Sequence, residues 1–538
     1  MAGLKKKKSS QRTKYIIMDV LASLLAYVLF FAFRRIEIES SFIHEIQIFS
    51  PVYNFWKLFF GIPIYWLFIF WLSGYYNQPF AKSRLAEFLQ TLISTFVGSI
   101  GLFFILLLND PVVHYYQYYL SFLLLFISYF IVVYAVRYTL TRITTRNIHN
   151  RIWGFNTLII GAGESAVRLV MDLEQMAKST GNIVSGFLTI DNEEVVADER
   201  RILGDLSCLE DILKQYDIDE VIVASENRDN DEIYRYIYRL YPHDVEIKML
   251  PDERDLLLGR VSLSNVYGLP LVNVMELKIS DFELNVKRFL DILSSLFLLL
   301  FLLPLFLILA LLVKFGSPGS VFYKQQRLGL HGKPFYIYKF RTMVENAEIT
   351  GEPLLASEDD HRITRLGRIL RKYRFDELPQ FINVLKGDMS IVGPRPERAY
   401  FESQIMEREP YFSIVHKVRP GITSLGMVKY GYANSVDKMI DRLKYDIIYM
   451  ENISLLLDLK ILIYTVKTVV SGRGRYAGTS EEPSGRRVYS GSVFRCVAGG
   501  GDCHCLWGTD PGFGHGRYHD SGNRLRLPVA ASDPVAGL

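Results

Sequence analysis

Two acidic residues stand side by side at Asp376 and Glu377, within the stretch RFDELPQFINVLKGDMSIVGPRPE. Basic residues precede and follow them, among them Lys339 and Arg395. Arginine binds phosphate through its two-pronged guanidinium, and Mg²⁺ is typically held by one or two carboxylates together with substrate phosphates. The mixture of charges therefore predicts phosphate chemistry, in which one acid attacks phosphorus while its neighbour holds the metal.

The residues after the acid pair predict how both carboxylates reach one cleft. Asp376 is a natural helix N-cap, Pro379 is tolerated in a first helical turn, and 380–385 reads as a short helix ended by Gly387. A helix N-terminus also favours a phosphate beside the acids. The alternative is purely structural, because the same residues suit a helix cap followed by a stabilising acid.

Length and composition indicate a membrane protein of several domains. The chain has 538 residues, of which 50% are hydrophobic and 14% aromatic, and its mean hydropathy is +0.15. A net charge of +4 is too small to indicate a nucleic-acid partner. The basic residues gather at the ends of apolar runs, as they do in membrane proteins.

Four apolar segments predict a bundle of four transmembrane helices within residues 1–145. Each approaches the roughly 20 residues that a helix needs to cross the hydrocarbon core. They lie at 15–33, 58–75, 88–108 and 118–136. Basic residues before the first segment, between the second and third, and after the fourth predict a cytoplasmic N-terminus and an even number of crossings.

Residues 150–255 predict a Rossmann-like α/β domain, which is followed by a linker at 256–284. Strand candidates alternate with helical spacing, as in a parallel sheet, and lie at 156–160, 184–190, 220–224 and 245–250. The turn GAGESA places Gly161 and Gly163 where backbone N–H groups approach a phosphate. A bound dinucleotide and a tight turn in a regulatory or scaffolding domain both fit this pattern.

A fifth apolar run, at 287–315, raises a question of topology. It is long enough to cross a bilayer, which would place the acid pair on the opposite side from the Rossmann-like domain. Pro304 lies near its middle and predicts a bend, because proline lacks the N–H and clashes with the preceding turn. Either a kinked span or a re-entrant hairpin fits this run.

A series of motifs surrounds the acid pair, and their order carries a family resemblance. They are KRFLDILSS, QQRLG, KPFYIYKFRTM, RITRLGRILR, DELPQFINVLKGDMSIVGPRP, VRPGIT and RLKYDIIYMENISLLLDLKILIYTVKTVV. With them, residues 285–475 resemble the bacterial sugar transferases, the monotopic phosphoglycosyl transferases that begin polysaccharide assembly on polyprenyl phosphate. The predicted spans and Rossmann-like domain resemble the large members of that family.

The resemblance implies a role for each matching residue. Asp376 would attack the β-phosphorus of a UDP-sugar and expel UMP, Glu377 would ligate Mg²⁺, and Arg395 would bind phosphate. Undecaprenyl phosphate would then accept the sugar phosphate, as the first membrane step of O-antigen, capsule or exopolysaccharide synthesis. After Thr423 the chain reads SLGMVKYGYA and departs from the family pattern, so the sugar is left open.

The resemblance also extends to further contacts and to topology. Lys339, Arg341 and Arg419 are candidate phosphate or nucleotide contacts. A re-entrant helix at 287–314, bent at Pro304, would keep the catalytic domain at the cytoplasmic face of the bacterial inner membrane. The expected partners are a UDP-sugar, polyprenyl phosphate and the lipid bilayer, with no nucleic acid, and a homodimer is expected by analogy.

Two rival functions share part of this pattern. A membrane-bound nucleotide-sugar dehydratase or epimerase needs a second dinucleotide-binding domain with a Tyr-x-x-x-Lys pair. The pair of that spacing, Tyr53 and Lys57, lies beside a membrane segment instead. A non-enzymatic partner of a polysaccharide export complex would use the acid pair only as a helix cap.

Residues 476–538 differ in composition from the rest of the chain. From Ser471 onward there is no Lys and no Ile, and three of the four cysteines occur here. The run CVAGGGDCHC does not match the ligand spacing of a zinc site. We predict a disordered tail, with a composition typical of a shifted reading frame.

Overall fold

The computed structural model describes residues 3–34, 51–80, 82–107, 115–191, 193–225, 237–238, 240, 243, 245–251, 269–274, 279–345, 360–431, 433–470, 497–499 and 502–504. The chain divides into two compact units, Met1–Gly478 and Thr479–Leu538. In the second unit, Val497–Gly499 pairs antiparallel with Asp502–His504. Most of the predicted linker and of the predicted disordered tail lies outside the described residues, so both stay predictions.

The N-terminal membrane region is helical. Its helices are α1 (Gly3–Arg34), α2 (Pro51–Leu72), α3 (Arg84–Leu102, continued by a π-helical turn at Phe103–Leu107) and α4 (Tyr116–His149). Three described stretches are long and apolar enough to cross a membrane, at Lys7–Phe33, Arg84–Ile105 and Tyr116–His149. The described apolar part of α2, Phe59–Leu72, is shorter. Three of the four predicted spans are therefore matched by length and composition, and the span at 58–75 stays a prediction.

A buried network of polar side chains ties these helices together. Nη2 of Arg137, on α4, lies 2.7 Å from a carboxylate oxygen of Asp19 on α1, and both side chains are fully buried. Arg137 also donates to Thr91 of α3, and Thr141 donates to Glu87 at 2.7 Å. Lipid offers no alternative partner for such groups, so the network fixes how the helices pack.

The next domain contains a six-stranded sheet. Its elements are β1 (Phe155–Ile160), α5 (Glu164–Gln175), β2 (Asn182–Thr189), β3 (Ile202–Asp205), α6 (Leu209–Gln215), β4 (Glu220–Val223), β5 (Glu246–Met249) and β6 (Val272–Asn273). The strand order across the sheet is β3-β2-β1-β4-β5-β6. The described pairs are parallel, except that β6 runs antiparallel to β5. Each predicted strand agrees with an observed one to within two residues, because each is an apolar run with buried side chains.

A broken helix connects this domain to the C-terminal one. Helices α7 (Asp281–Phe301) and α8 (Leu303–Gly316) are bent by 64° at Leu302. Pro304 lies in the first turn of α8, where its missing N–H leaves no bond unmade within α8. Because Pro304 has no N–H to donate to a carbonyl group at the end of α7, the regular helix is interrupted and changes direction. The predicted bend is present, two residues before the proline.

The C-terminal domain combines short helices with two small sheets. Strands β7 (Phe322–Leu328) and β8 (Pro334–Phe340) form an antiparallel hairpin, and β9 (Ser390–Val392) pairs in parallel with β10 (Gly421–Thr423). The helices are α9 (Arg365–Lys372), α10 (Gln380–Lys386), α11 (Ala399–Arg408), α12 (Leu425–Lys429), α13 (Val436–Glu451) and α14 (Leu455–Val470), with 3-10 helices at Phe375–Glu377 and Pro410–Lys417.

The first limb of the broken helix is anchored on the C-terminal domain. Arg288 of α7 donates to the carbonyl of Val384 at 2.8 Å, near the end of α10. Asp291, one turn further on, accepts hydrogen bonds from the Ser390 hydroxyl at 2.7 Å and from the Ile391 N–H at 3.2 Å. Because Asp291 is buried, replacing it by an apolar residue would remove the acceptor of the Ile391 N–H and leave the Ser390 hydroxyl only its contact with the carbonyl of Val392.

The second limb returns to the same domain. Arg341, which follows β8, donates from Nη1 to the carbonyl of Pro318 and from Nη2 to that of Ser317, each at 2.6 Å. These residues directly follow α8, so a buried guanidinium holds the end of the helix. Both limbs are therefore fixed to one folded domain.

The membrane bundle contacts the start of α7. Asn285 donates to the carbonyl of Trp71 at 2.5 Å, and Asn77 donates to Asp281 at 3.1 Å. Gly74 has a φ of +80°, and a Cβ there would lie 2.6 Å from the Cβ of Asp281. Glycine is thus required both by the backbone conformation and by the close approach.

Candidate active site

The acid pair lies in a single 3-10 turn, Phe375–Glu377, rather than at the start of a helix. Arg374 precedes this turn in the left-handed conformation, with a φ of 61°. The N-cap of α10 is Pro379, so the prediction that Asp376 caps this helix is wrong. The left-handed residue reverses the chain before the acids, which places them in their own turn. The predicted helix end at Gly387 is confirmed, with a φ of 94°.

Asn383 of α10 holds the acid-bearing segment against the hairpin. Its side-chain amide donates to the carbonyl of Tyr336 at 2.7 Å, and its Oδ1 accepts from the N–H of Tyr338 at 3.1 Å. Asn383 is fully buried, so both hydrogen bonds are shielded from water. The next residue of β8, Lys339, therefore lies beside the acid pair.

Glu377 forms ion pairs with three cations. Its Oε1 lies 3.0 Å from Nζ of Lys339, 3.2 Å from Nη1 of Arg374 and 3.9 Å from Nη2 of Arg395. Burial alone would raise the pKa of Glu377, but the charges of Lys339, Arg374 and Arg395 outweigh it and hold the pKa well below its usual range. Glu377 is therefore an anion throughout the physiological range.

Asp376 has the opposite electrostatic character. Its side chain is 7% exposed, and its Oδ1 is buried without a hydrogen-bond partner among the described residues. Burial and the neighbouring charge of Glu377 raise the pKa of Asp376 to about 6, against the opposing pull of Lys339 and Arg374. A carboxylate oxygen without a donor, near its ionisation point at neutral pH, is suited to act as a nucleophile.

The cations of the site are themselves partly shielded from solvent. Burial lowers the pKa of Lys339 and of Arg395, while Glu377 opposes that shift in both residues. Arg395 also lies 3.2 Å from the sulfur of Met427, which belongs to the segment that departs from the family pattern. The predicted residues Asp376, Glu377, Lys339 and Arg395 therefore form one cluster.

The other two predicted phosphate contacts are placed elsewhere. Arg341 holds the end of α8, as described above, and Arg419 donates to the carbonyl of Gly387 at 2.9 Å. In the described part of the chain, neither forms a hydrogen bond or ion pair with the acid pair. These contacts give no support to their predicted roles, which stay predictions.

Sequence reasoning missed Arg374, which contacts Glu377 directly. The residue stands two positions before Asp376, at the end of a run of basic residues from which Arg374 was not singled out. Its left-handed backbone directs the chain into the 3-10 turn, and no sequence pattern signals that conformation for arginine. The signal that could have identified Arg374 was its position in the sequence, because it is a cation close to the acid pair.

The acid pair also fits the donor set of a magnesium ion. Carboxylate oxygens are the ligands that Mg²⁺ prefers, and Asp376 Oδ1 is a buried oxygen without a hydrogen-bond partner in the described chain. The described residues contain no cluster of three or more His, Cys, Asp or Glu side chains that could hold a metal. A magnesium ion that the acid pair shares with substrate phosphates stays a prediction.

The glycine turn of the Rossmann-like domain is fixed by internal contacts. Gly161 has a φ of +111°, and a Cβ there would lie 2.8 Å from the carbonyl oxygen of Ala224. The N–H of Ala162 donates to the carboxylate of Glu193 at 3.2 Å, and Gly163 is the N-cap of α5. Close packing accounts for Gly161, so the predicted nucleotide stays a prediction.

Two family models match the chain. A model described as bacterial sugar transferase matches residues 282–472, and a model described as a CoA-binding domain matches residues 72–251. The first covers the domain that contains the acid pair. The second covers α3, α4 and the Rossmann-like sheet up to β5.

Similar proteins include named sugar phosphotransferases. The chain is 38% identical over 255 residues to a UDP-N-acetylgalactosamine-undecaprenyl-phosphate N-acetylgalactosaminephosphotransferase of Aeromonas hydrophila, covering 47% of this chain and 59% of that protein. It is 33% identical over 267 residues to a UDP-glucose:undecaprenyl-phosphate glucose-1-phosphate transferase of Klebsiella pneumoniae, covering 49% and 57%. The chain thus matches less than two thirds of the length of either relative.

A third relative is matched over more of its length. The chain is 31% identical over 357 residues to the undecaprenyl-phosphate galactose phosphotransferase of Salmonella typhimurium, covering 62% of this chain and 72% of that protein. The aligned region is longer than the part of the chain that the sugar transferase model matches. On this similarity and the model match at 282–472, the chain belongs to the bacterial sugar transferase family.

Proposed function

We propose that the protein transfers a sugar 1-phosphate from a UDP-sugar to undecaprenyl phosphate and releases UMP, through a phospho-sugar bound covalently to Asp376. One observation carries the proposal: two adjacent buried carboxylates have opposite electrostatic character. Glu377 is held as an anion by three cations, whereas Asp376 keeps a carboxylate oxygen that has no hydrogen-bond donor in the described part of the chain. The related proteins named for this reaction support the same assignment.

In the first half-reaction, a carboxylate oxygen of Asp376 forms a bond to the β-phosphorus of the UDP-sugar. The bond between that phosphorus and the bridging oxygen breaks, and UMP leaves with the electron pair. Lys339 and Arg395 would bind the phosphate oxygens, because both are cations beside the acid pair. Arg374 would hold Glu377 in place meanwhile.

In the second half-reaction, a phosphate oxygen of undecaprenyl phosphate attacks the phosphorus of the intermediate. The bond to Asp376 breaks, which restores the carboxylate and gives undecaprenyl diphospho-sugar. Two sequential displacements at one phosphorus allow the nucleotide to leave before the lipid enters, so the two substrates need not share the cleft.

Glu377 would be the protein ligand of a magnesium ion. The ion, when bound, neutralises charge on the substrate phosphates. Glu377 suits this role because it is ionised. The three cations contact its Oε1, so Oε2 would be the oxygen that binds the metal. The cations would then share Glu377 with the metal.

The broken helix would enter and leave the membrane at one face. This topology is supported by the 64° bend and by the anchoring of both limbs on one domain, through Asp291 at the first limb and Arg341 at the second. Together with four spans and a cytoplasmic N-terminus, it would place the acid pair at the cytoplasmic face of the bacterial inner membrane. Exposed side chains along both limbs, including Phe297, Leu300 and Leu307, would face lipid.

The test is UMP release by the protein in nanodiscs, with undecaprenyl phosphate and Mg²⁺. The panel should contain UDP-N-acetylgalactosamine, UDP-glucose and UDP-galactose, since the related proteins are named for these three sugars. One sugar is expected to give UMP, and Asp376→Asn is expected to abolish it. The matched control is Asp437→Asn, a change at an exposed aspartate of α13 paired with Arg408, which should leave the rate unchanged.

Two results would decide against the proposal. If Asp376→Asn retained the full rate of UMP release, the acid pair would have a structural role only. If no sugar gave UMP, a chain ending at Tyr476 should be assayed next. Activity of that shorter chain would attribute the failure to the tail, whereas its inactivity would favour a non-enzymatic partner of a polysaccharide assembly complex.

A further inference from the structure

A second buried ionic cluster lies next to the acid pair, and the proposed reaction does not use it. Its centre is Glu397, which is 5% exposed. The carboxylate accepts hydrogen bonds from Arg442 of α13 and from Arg327 of β7, the latter at 3.4 Å. The strand β7, the loop after β9 and the helix α13 thus meet at one carboxylate.

The loop that carries Glu397 also carries the phosphate-binding Arg395. Pro394 and Pro396 stand on either side of Arg395, and their rings restrict the backbone there. Arg327 donates to the carbonyl of Pro396 at 3.2 Å, and the N–H of Leu328 donates to the carbonyl of Glu397 at 3.3 Å. The loop is therefore clamped to β7 directly beside Arg395.

The charges around Arg395 are balanced by two carboxylates. Glu377 and Glu397 both attract its guanidinium, whereas Arg442 repels it. Arg327 and Arg395 in turn both attract Glu397. If Glu397 lost its charge, the guanidinium groups of Arg327, Arg395 and Arg442 would lose a carboxylate that attracts all three, and their mutual repulsion would grow.

We propose that Glu397 is a positioning residue, which neutralises Arg327 and Arg442 so that Arg395 remains directed at Glu377 and at the phosphates of the UDP-sugar. This inference rests on the proposed function, because it concerns the same substrate. At 3.9 Å, the contact between Arg395 and Glu377 is the longest of the three ion pairs that Glu377 forms. We therefore expect this contact to change most when the surrounding charges change.

The test is the variant Glu397→Gln, which keeps the shape of the side chain and removes its charge. We expect the KM for the UDP-sugar to rise by about 10- to 100-fold, the range that corresponds to losing one charge-assisted hydrogen bond, with a smaller change in kcat. In the double variant with Arg395→Lys, the two effects on kcat/KM should be less than multiplicative. When two residues act through one another, the free-energy effects of their substitutions are not additive. Effects that came from a general loss of packing would be additive.

Glu402→Gln provides the matched control. Glu402 is likewise a buried carboxylate of this domain, with Oε1 at 2.6 Å from Nε2 of His416. This variant should lower the unfolding temperature while leaving the KM for the UDP-sugar unchanged. Thermal unfolding of both variants separates a loss of stability from a loss of positioning.

The outcomes distinguish the inference from the proposed function. Wild-type protein that released no UMP from any UDP-sugar would overturn both. Active wild-type protein together with a normal KM in Glu397→Gln, or with multiplicative effects in the double variant, would overturn the inference alone. If Glu397→Gln did not fold, Arg442→Gln would replace it, because loss of the Arg442 charge would leave Glu397 freer to attract Arg395 away from Glu377. A raised KM in that variant supports the inference, and an unchanged KM contradicts it.

Discussion

The sharpest consequence of the site is that Asp376→Asn should abolish activity and yet stabilise the protein. Burial and the charge of Glu377 raise the pKa of Asp376 from 3.8 to about 6, so keeping this group ionised at neutral pH opposes folding. A shift of roughly two pH units corresponds to about 3 kcal/mol. Asn has almost the same shape as Asp and carries no charge, so it removes this cost. Because the same cations attract both acids, about 3 kcal/mol is an upper value for the gain in stability.

The gain should depend on pH in a defined direction. A carboxyl group with a raised pKa in the folded state stabilises the fold when protonated, and this contribution is lost as the pH rises through about 6. The advantage of Asp376→Asn over wild type is therefore full at neutral and higher pH, shrinks below about pH 6, and is nearly absent near pH 4.

The assay is thermal unfolding in nanodiscs with EDTA, which removes metal that would neutralise the acid pair. A gain of about 1–3 kcal/mol corresponds to a rise of roughly 3–10 °C for a domain of this size. Glu377→Gln is the matched control and should shift the midpoint in the opposite direction, because it leaves three cations without their shared anion. A lower midpoint for Asp376→Asn at neutral pH, or shifts of the same sign in both variants, would refute the reasoning.

Further predictions concern neighbouring residues and pH. Arg374→Gly preserves the left-handed backbone and should lower kcat/KM by about 10- to 100-fold through loss of one charge-assisted contact. Arg374→Ala should lower kcat/KM equally, but its free energy of unfolding should be lower than that of Arg374→Gly by about 1 kcal/mol, because only glycine avoids the cost of the left-handed conformation. Arg341→Gln should lower that free energy by about 1–3 kcal/mol, because the carbonyl groups after α8 lose their donor, with an unchanged KM for the UDP-sugar. A raised KM would instead restore its predicted substrate role. The rate of UMP release should fall as the pH drops below about 6, since Asp376 then gains a proton, and a profile that stays flat down to pH 5 would contradict its role as nucleophile.

The components of the site could be predicted from the sequence, but their arrangement could not. Asp376, Glu377 and Arg395 lie within one continuous stretch, and their types alone indicate phosphate chemistry. The expected helix cap at Asp376 failed because Arg374 adopts a left-handed conformation, which few non-glycine residues do. Lys339 joins the acids only through the pairing of Asn383 with β8, a contact between residues distant in the chain.

Contacts between distant parts of the chain limit the prediction elsewhere as well. Arg341 was predicted as a phosphate or nucleotide contact, whereas its guanidinium donates to carbonyl groups that follow α8, so that role stays a prediction. In the Rossmann-like domain the buried apolar strands could be predicted closely. The strands β3 and β6 could not, because they are short and only partly buried.

The central claim is that the sugar phosphate passes through Asp376. The direct measurement is mass spectrometry of the peptide that contains this residue, after incubation of the protein with its UDP-sugar and Mg²⁺ in the absence of undecaprenyl phosphate. We predict a mass increase equal to one phospho-sugar on Asp376, which disappears when the lipid is added and is absent from Asp376→Asn. An unmodified peptide in protein that releases UMP only when the lipid is present would contradict the covalent mechanism and indicate direct transfer between the two substrates.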